Sequence, residues 1–327
     1  MKDQLIDQYG RQIKYLRFSV TDRCDLRCKY CLPKGFRDFS ESAETLTTGE
    51  IEHIVSLFAQ LGVRHVRITG GEPLVRKNID HLVSRLARVP GVSDLSLSTN
   101  GVRLSRFAGK LKRAGLHRLN VSLDTLDDKR YQDLTGGKLS KVLQGLEEAR
   151  NENLSPIKIN CVFMRGVNEY DVEKLLDYCA LRNFTLRLIE TMPVGNTGRS
   201  MQARYLSLDS IKRKLREKYE LIPDVMPGAG PARYYRLQGS STKIGFITPI
   251  SQHFCETCNR LRISCNGDIY TCLGDENCYP LGDYLRQGCS DEELIEHIGM
   301  AVDLKPKKHE FLNENKQIVR FMAMTGG

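Results

Sequence analysis

LRFSVTDRCDLRCKYC, residues 16–31, runs an alternation of apolar and polar side chains straight into a loop bearing Cys24, Cys28 and Cys31. In an extended chain successive side chains point to opposite faces, so Leu16, Phe18 and Val20 share one face while Arg17 and Ser19 share the other. The same habit returns at HVRIT (65–69), LSLST (95–99), LNVSL (119–123), IKINCVF (157–163) and LRLIE (186–190), which predicts six strands. Helical spacing fills the intervals. Ile51, Ile54, Val55, Phe58 and Leu61 form one such stretch, opened by a capping box from Thr47 to Glu50. Strand followed by helix, repeated, predicts a parallel sheet.

A parallel sheet covered by helices is normally apolar on both faces. Here one face of each strand is polar, and because the outer face must pack against helices, the polar set points inward. The expected fold is α/β: a partial, six-stranded parallel TIM-like barrel with a hollow lumen and a C-terminal extension. The inward set is Arg17 and Ser19, Arg67 and Thr69, Ser96 and Ser98, Asn120 and Ser122, Lys158 and Asn160, and Arg187. Four of these are cationic, and the lumen should hold a ligand.

Composition sets the bounds. The 327 residues are 40% hydrophobic and 27% charged with no low-complexity tract, which describes a folded chain. The amino-terminal MKDQLIDQYGRQ has no apolar core of a signal peptide, and no apolar run approaches the roughly 18 residues of a membrane span. The expected compartment is the cytoplasm, where the eleven cysteines should be metal ligands or buried thiols rather than disulfides. A net charge of +9 fits a nucleic-acid surface or a site for a small polyanion. Beyond the sixth strand, GNTGRS (195–200) reads as a loop, SLDSIKRKLREKY (207–219) as a basic amphipathic helix and MPGAGPARYY (226–235) as a Gly/Pro-rich break. A boundary near residue 220 divides the chain into 1–220 and 221–327.

Cys24, Cys28 and Cys31 provide three ligands, whereas a structural zinc site and an electron-transfer [4Fe-4S] cluster each take four. A cluster on this loop therefore keeps one iron with an exchangeable position. With Thr69-Gly70-Gly71-Glu72-Pro73 closing the second strand, the chain resembles the radical S-adenosylmethionine (SAM) superfamily. The resemblance implies that the open iron chelates SAM, that GGEP contacts its methionine part, and that reductive cleavage of SAM yields a 5′-deoxyadenosyl radical.

Cys255, Cys258 and Cys272 read C-x2-C-x13-C, with Cys265 and Cys278 close by. Spacing alone leaves a zinc ribbon and a second cluster open. In CNRLRIS (258–264) Arg260 and Arg262 would project from one strand face. Taken with GRQIKYLRFSVTDRCDLRCKYCLP, RITGGEPLVR, STNG, LNVSLDTL, GPARYY, FCETCNRLRIS, the TCL around Cys272 and the terminal Gly326-Gly327, the chain is similar end to end to the GTP 3′,8-cyclase family. That family opens molybdenum cofactor (molybdopterin) biosynthesis.

The resemblance implies a second [4Fe-4S] cluster on Cys255, Cys258 and Cys272 that binds the guanine of GTP. It implies GTP contacts from Arg17, Arg67, Thr99, Lys158, Arg260 and Arg262, and SAM contacts from Tyr30, Gly71, Ser122 and Met192. The reaction it implies is abstraction of the ribose 3′ hydrogen and attack of C3′ on C8. A catalytic Gly326-Gly327 tail, a reduced donor of flavodoxin or ferredoxin type, a homodimer, and hand-over to cyclic pyranopterin monophosphate synthase complete it, with no nucleic acid and no membrane. Asp25 and Leu32 replace the commoner Asn and Met of the pattern, and Cys161, Cys179 and Cys289 read as buried apolar residues.

Two rivals differ in testable ways. A radical SAM enzyme acting on a neutral peptide would not need the lumen cations, and a basic zinc-ribbon RNA binder would leave Cys24, Cys28 and Cys31 without a purpose. In the tail RFMAMTGG (320–327), Arg320, Met322 and Met324 alternate as in an ordered strand, and the glycines suit a crowded channel.

Overall fold

The computed structural model describes residues 4–40, 44–226, 228–311, 313 and 317–326. Six strands, β1 (Tyr15–Ser19), β2 (His65–Thr69), β3 (Asp94–Thr99), β4 (Arg118–Ser122), β5 (Ile157–Phe163) and β6 (Thr185–Glu190), lie side by side in chain order, all parallel. They coincide with the six alternating segments to within one residue at each end. Between them run α1 (Thr48–Gln60), α2 (Ile79–Leu86), α3 (Leu104–Arg113), α4 (Asp128–Thr135), α5 (Leu139–Asn151) and α6 (Val172–Arg182). Helix α1 begins as expected: Thr47 accepts the Glu50 N–H and Glu50 reaches back to the Thr47 N–H.

The two strand faces separate chemically. Leu16, Phe18, Val66, Ile68, Leu95, Leu97, Leu119, Val121, Ile159, Leu186 and Leu188 are buried in the main apolar core, along with Ile51, Ile54, Val55 and Phe58 of α1. On the opposite face Arg17, Ser19, Arg67, Thr69, Ser96, Asn120, Lys158 and Arg187 are buried as well. Polar side chains thus sit inside a partial barrel wrapped in an apolar shell, the α/β architecture expected.

The extension adds strands at both barrel edges. β7 (Leu221–Asp224), β8 (Arg233–Leu237) and β9 (Lys243–Ile247) join through β9, parallel to β6; β10 (Arg260–Ile263), β11 (Ile269–Tyr270) and β12 (Cys278–Tyr279) join through β10, parallel to β1. The order is β12-β11-β10-β1-β2-β3-β4-β5-β6-β9-β8-β7.

Two local expectations are corrected. GNTGRS is not a loop but the short helix α7 (Gly195–Ser200), followed by α8 (Leu208–Lys218) where the basic helix was predicted. Its glycines hid the turn, which the tail steadies: the Gly195 N–H and the Arg199 guanidinium both donate to the Ile318 carbonyl, at 3.1 and 2.6 Å. After α9 (Leu281–Arg286) and α10 (Asp291–Asp303), the tail ends in a helical turn, α11 (Met322–Thr325), rather than a strand. It is ordered and buried, with Arg320 7%, Ala323 2% and Thr325 0% exposed. Cys161 and Cys179 are buried as expected, whereas Cys289 is only partly so. Among the described residues no helix is long and apolar enough to cross a membrane.

Candidate active site: two cysteine loops on one lumen

The loop after β1 is shaped by the turn after β2. The Gly71 N–H donates to the Thr21 carbonyl at 2.7 Å and the Glu72 N–H to the Arg23 carbonyl at 2.8 Å. A Cβ on Gly70 would lie 2.3 Å from the Thr21 oxygen and one on Gly71 2.4 Å from the Arg23 oxygen, so only glycine lets the two loops meet. Glu72 is fully buried and accepts from the Thr99 hydroxyl at 2.7 Å and the Asn100 N–H at 2.6 Å, tying the ends of β2 and β3 together. Burial pushes its carboxyl up to about 7.

On this loop the Leu26 N–H points at the Cys24 sulfur, 3.4 Å away, and the Cys31 N–H closes a turn on the Cys28 carbonyl at 2.9 Å. Burial, with Glu72 and Asp25 adding repulsion, pushes Cys24 up to about 11; burial and Cys24 push Cys31 up to about 12. Tyr30 donates its hydroxyl to Asp124 at 2.8 Å.

The second loop is held differently. Cys255 and Cys258 flank a single tight turn, and β10 carries the chain back beside β1, pairing Tyr15 with Arg260 and Arg17 with Arg262. Hairpin β10–β11 then delivers Cys272. Burial works against the Cys258 thiolate, but Arg260, Lys305, the Arg260 N–H and Arg11 outweigh it and bring the thiol down to about 7. Burial raises Cys272, with Cys258 and Cys255 within electrostatic reach.

All eleven cysteines are free thiols. Among the described residues no three Cys, His or carboxylate groups are gathered closely enough to grip a single ion. The thiols of each set lie within electrostatic reach of one another, and three thiolates are the donor set of a [4Fe-4S] cluster with one open iron.

Arg17, Arg67, Met192, Arg260, Arg262, Cys255, Cys258 and Cys272 line one cavity of ≈150 Å³. It shares Arg67 and Arg187 with a hollow of ≈360 Å³ that Lys158 and Arg118 also line. Burial and neighbouring guanidiniums depress these cations together: Arg67 and Arg262 fall to about 10, Lys158 to about 7, and Arg17 well below its usual range. Like charges confined in a dry space hold one another unfavourably until an anion joins them. Thr99 is not in this lining, because its hydroxyl is given to Glu72. Ser122 is exposed at the end of β4, and Tyr30 and Gly71 lie by the first loop.

Sequence reasoning missed Tyr15 and Arg118. Tyr15 stands one alternation before Arg17, and the Arg67 guanidinium lies 5.4 Å from its ring centre; Arg118 is the first residue of β4, with its Nε 2.7 Å from Asp94. Both carry the period-two signal, one step outside the segments that read as strands.

The tail lies between the loops. The Ala323 N–H reaches the Cys31 sulfur, Arg262 donates to the Thr325 carbonyl at 3.3 Å and to that of Gly326, and Arg320 donates to the Cys272 and Leu273 carbonyls at 3.3 and 2.8 Å. Gly326 has φ +73°, and a Cβ on it would lie 2.2 Å from Thr69 Cγ2. Gly327 lies outside the described residues.

Residues 18–179 match the family model described as Radical SAM superfamily, and residues 184–311 match Molybdenum Cofactor Synthesis C. A GTP 3′,8-cyclase of Nitrobacter hamburgensis is 42% identical over 99% of this chain and 96% of its own. The GTP 3′,8-cyclase 1 of Pseudomonas aeruginosa is 44% identical over 98% and 99%. Among solved structures, SuiB of Streptococcus suis bound to S-adenosylmethionine superposes with a TM-score of 0.65 at 15% identity, covering 84% of this chain and 65% of that one. That likeness concerns the fold.

Proposed function

The chain belongs to the GTP 3′,8-cyclase family of radical SAM enzymes, and on that premise we infer how its residues carry out the family's reaction. It cyclises GTP to (8S)-3′,8-cyclo-7,8-dihydroguanosine 5′-triphosphate, the first step of molybdenum cofactor biosynthesis, with two [4Fe-4S] clusters and SAM as cofactors. The observation that carries the residue assignment is that the second cysteine set lines one cavity with three buried arginines, Arg17, Arg67 and Arg187, and two half-buried ones, Arg260 and Arg262, with the first loop joined to it by the tail.

Cys24, Cys28 and Cys31 hold the SAM-binding cluster, and Cys255, Cys258 and Cys272 the substrate cluster. When bound, the clusters supply the electron that cleaves SAM to a 5′-deoxyadenosyl radical and a Lewis-acidic seat for guanine. Tyr30, Gly71, Ser122 and Met192 position SAM. Arg17, Arg67, Lys158, Arg260 and Arg262, joined by Arg187, bind and orient GTP and neutralise its triphosphate. Thr99, whose hydroxyl donates to Glu72 at 2.7 Å, belongs with the GTP contacts in this reading. These residues would hold ribose C3′ within reach of both the 5′-deoxyadenosyl radical and guanine C8, so that loss of the 3′ hydrogen, closure of the C3′–C8 bond and uptake of a second electron from the reduced donor with one proton would balance to the 7,8-dihydro product. Gly326 completes the wall around the reacting atoms, where a side chain would collide with Thr69, and the catalytic role extends to Gly327 by family resemblance.

A division at residue 220, into a radical SAM barrel (1–220) and a substrate-cluster extension (221–327), belongs to this reading. So do a flavodoxin- or ferredoxin-type donor, a homodimer, and transfer of product to cyclic pyranopterin monophosphate synthase. A cytoplasmic location fits the eleven free thiols. The test is anaerobic reconstitution followed by turnover of GTP with SAM and a reductant. About eight irons per chain and a cyclised triphosphate product are expected; four irons with one zinc, or SAM cleavage without GTP conversion, would overturn the reading.

A further inference from the structure

Three cations from distant parts of the chain converge behind the second cysteine loop. Arg11, on the amino-terminal arm, donates to the Cys255 carbonyl at 2.9 Å and to the Pro306 and Lys307 carbonyls at 2.7 and 3.0 Å. Arg320, on the tail, holds the Cys272 and Leu273 carbonyls. Between them Lys305, 2% exposed, donates its ammonium to the Arg260 carbonyl at 2.9 Å and to the Thr271 carbonyl at 2.5 Å. One of these oxygens lies two residues past Cys258 and the other immediately before Cys272.

The three differ in their counter-charge. Arg11 has Asp7 at 2.6 Å and Arg320 has Glu276 at 3.0 Å. Lys305 forms no ion pair among the described residues; burial, Arg11 and Arg260 disfavour its charge, and thiolates at Cys258 and Cys272 would favour it. A buried ammonium with only carbonyls about it is poorly compensated unless an anionic group shares the space. Three thiolates on an iron–sulfur core provide such a group, and cations beside the sulfurs are among the features that set a cluster's potential.

We propose that Lys305 is the positioning residue of the second cysteine set: its ammonium staples the Cys258 and Cys272 segments together and is the fixed positive charge opposite their thiolates. The inference rests on the two-cluster reading above. Hydrogen bonds to carbonyls on both strands set the spacing of the ligands, and the charge favours the more negative, reduced form of whatever cluster they hold. The first loop is held otherwise: Arg27 donates to the Cys24 and Leu26 carbonyls at 2.7 and 2.9 Å, within that one loop, and the charges acting on its sulfurs are Glu72, Asp25 and Asp124.

The test compares the full-length protein with Lys305→Met and Lys305→Arg, each reconstituted anaerobically with iron and sulfide. Iron per chain, the EPR signals of the reduced clusters and their midpoint potentials are measured. Wild type and K305R should hold about eight irons, and K305M about four, all of the loss from the second cluster and with SAM binding kept. Any second cluster that does assemble in K305M should be at least tenfold harder to reduce, about 59 mV for a one-electron step. Eight irons with an unshifted potential in K305M would overturn the proposal, as would loss of the first cluster too, or the same loss in K305R. A wild type holding only four irons would overturn the two-cluster reading, and this inference with it.

Discussion

The two cysteine sets each offer three thiols, but only the second contains one, Cys258, whose cationic neighbours outweigh burial. Cys24, Cys28 and Cys31 are driven up chiefly by burial, with Glu72, Asp25 and Asp124 adding repulsion at Cys24 and Cys28. Around Cys258 the charged neighbours are Arg260, Lys305 and Arg11, and the thiol is driven down to about 7. A thiolate count alone says nothing of this contrast. It matches the molecules each loop would face, since SAM carries a sulfonium and an ammonium, whereas GTP brings a triphosphate.

The largest test of the contrast replaces the ligands themselves. Cys24→Ser, Cys28→Ser or Cys31→Ser should abolish SAM cleavage, followed as 5′-deoxyadenosine. Cys255→Ser, Cys258→Ser or Cys272→Ser should leave that cleavage measurable and remove GTP conversion. Intact cyclisation in the second group would dissolve the distinction between the loops.

Next in size is the tail that touches both. Deleting Gly326 and Gly327 should leave the iron content, SAM binding and thermal midpoint nearly unchanged while cyclised product falls on the order of a hundredfold, as expected when reacting groups are misplaced by about an ångström. Full activity in the truncated protein would return the tail to a structural role.

Smaller effects belong to the cationic field. Arg17→Ala, Arg67→Ala or Lys158→Ala should each weaken GTP binding by roughly 1.5 to 3 kcal/mol, the range of a charge-assisted hydrogen bond, with the first cluster still assembling. Calorimetry showing unchanged affinity in all three would refute a phosphate-binding lumen.

The smallest effect is a pH slope. Burial and Arg187, Arg118 and Arg67 hold folded Lys158 near 7, below its unfolded value of about 10.4. Between those values the unfolded chain binds the extra proton, so the ligand-free protein should gain stability as pH rises from about 7 toward 10, and the penalty should be complete below 7. Lys158→Met should flatten that slope in denaturation curves. GTP binding near pH 8 should take up a proton, visible as a buffer-dependent heat; a buffer-independent heat would mean Lys158 stays clear of the phosphates.

Local period carried most of the barrel into the sequence. LRFSV, HVRIT and IKINCVF fell on β1, β2 and β5 because strands with one buried polar face must alternate, and the lumen arginines followed from the same rule. The failures share a cause. GNTGRS is helical and MAMT makes a turn because each is held by the other end of the chain, through Ile318 and Arg262, and no window of neighbouring residues contains that partner. The Thr99 hydroxyl donates to Glu72, which lies 27 residues back and which no local window pairs with it.

The strand order also has a consequence for how the molecule comes into being. β1 is the first strand made, yet one of its edges stays unpaired until β10, some 240 residues later, has left the ribosome. An open edge of this kind is a template for mispairing, and contacts so distant in sequence form late. The wall of arginines contributed by β10 therefore cannot exist on a nascent chain. The second set of thiols can therefore gather only late in synthesis, while the loop after β1 can gather its three thiols long before.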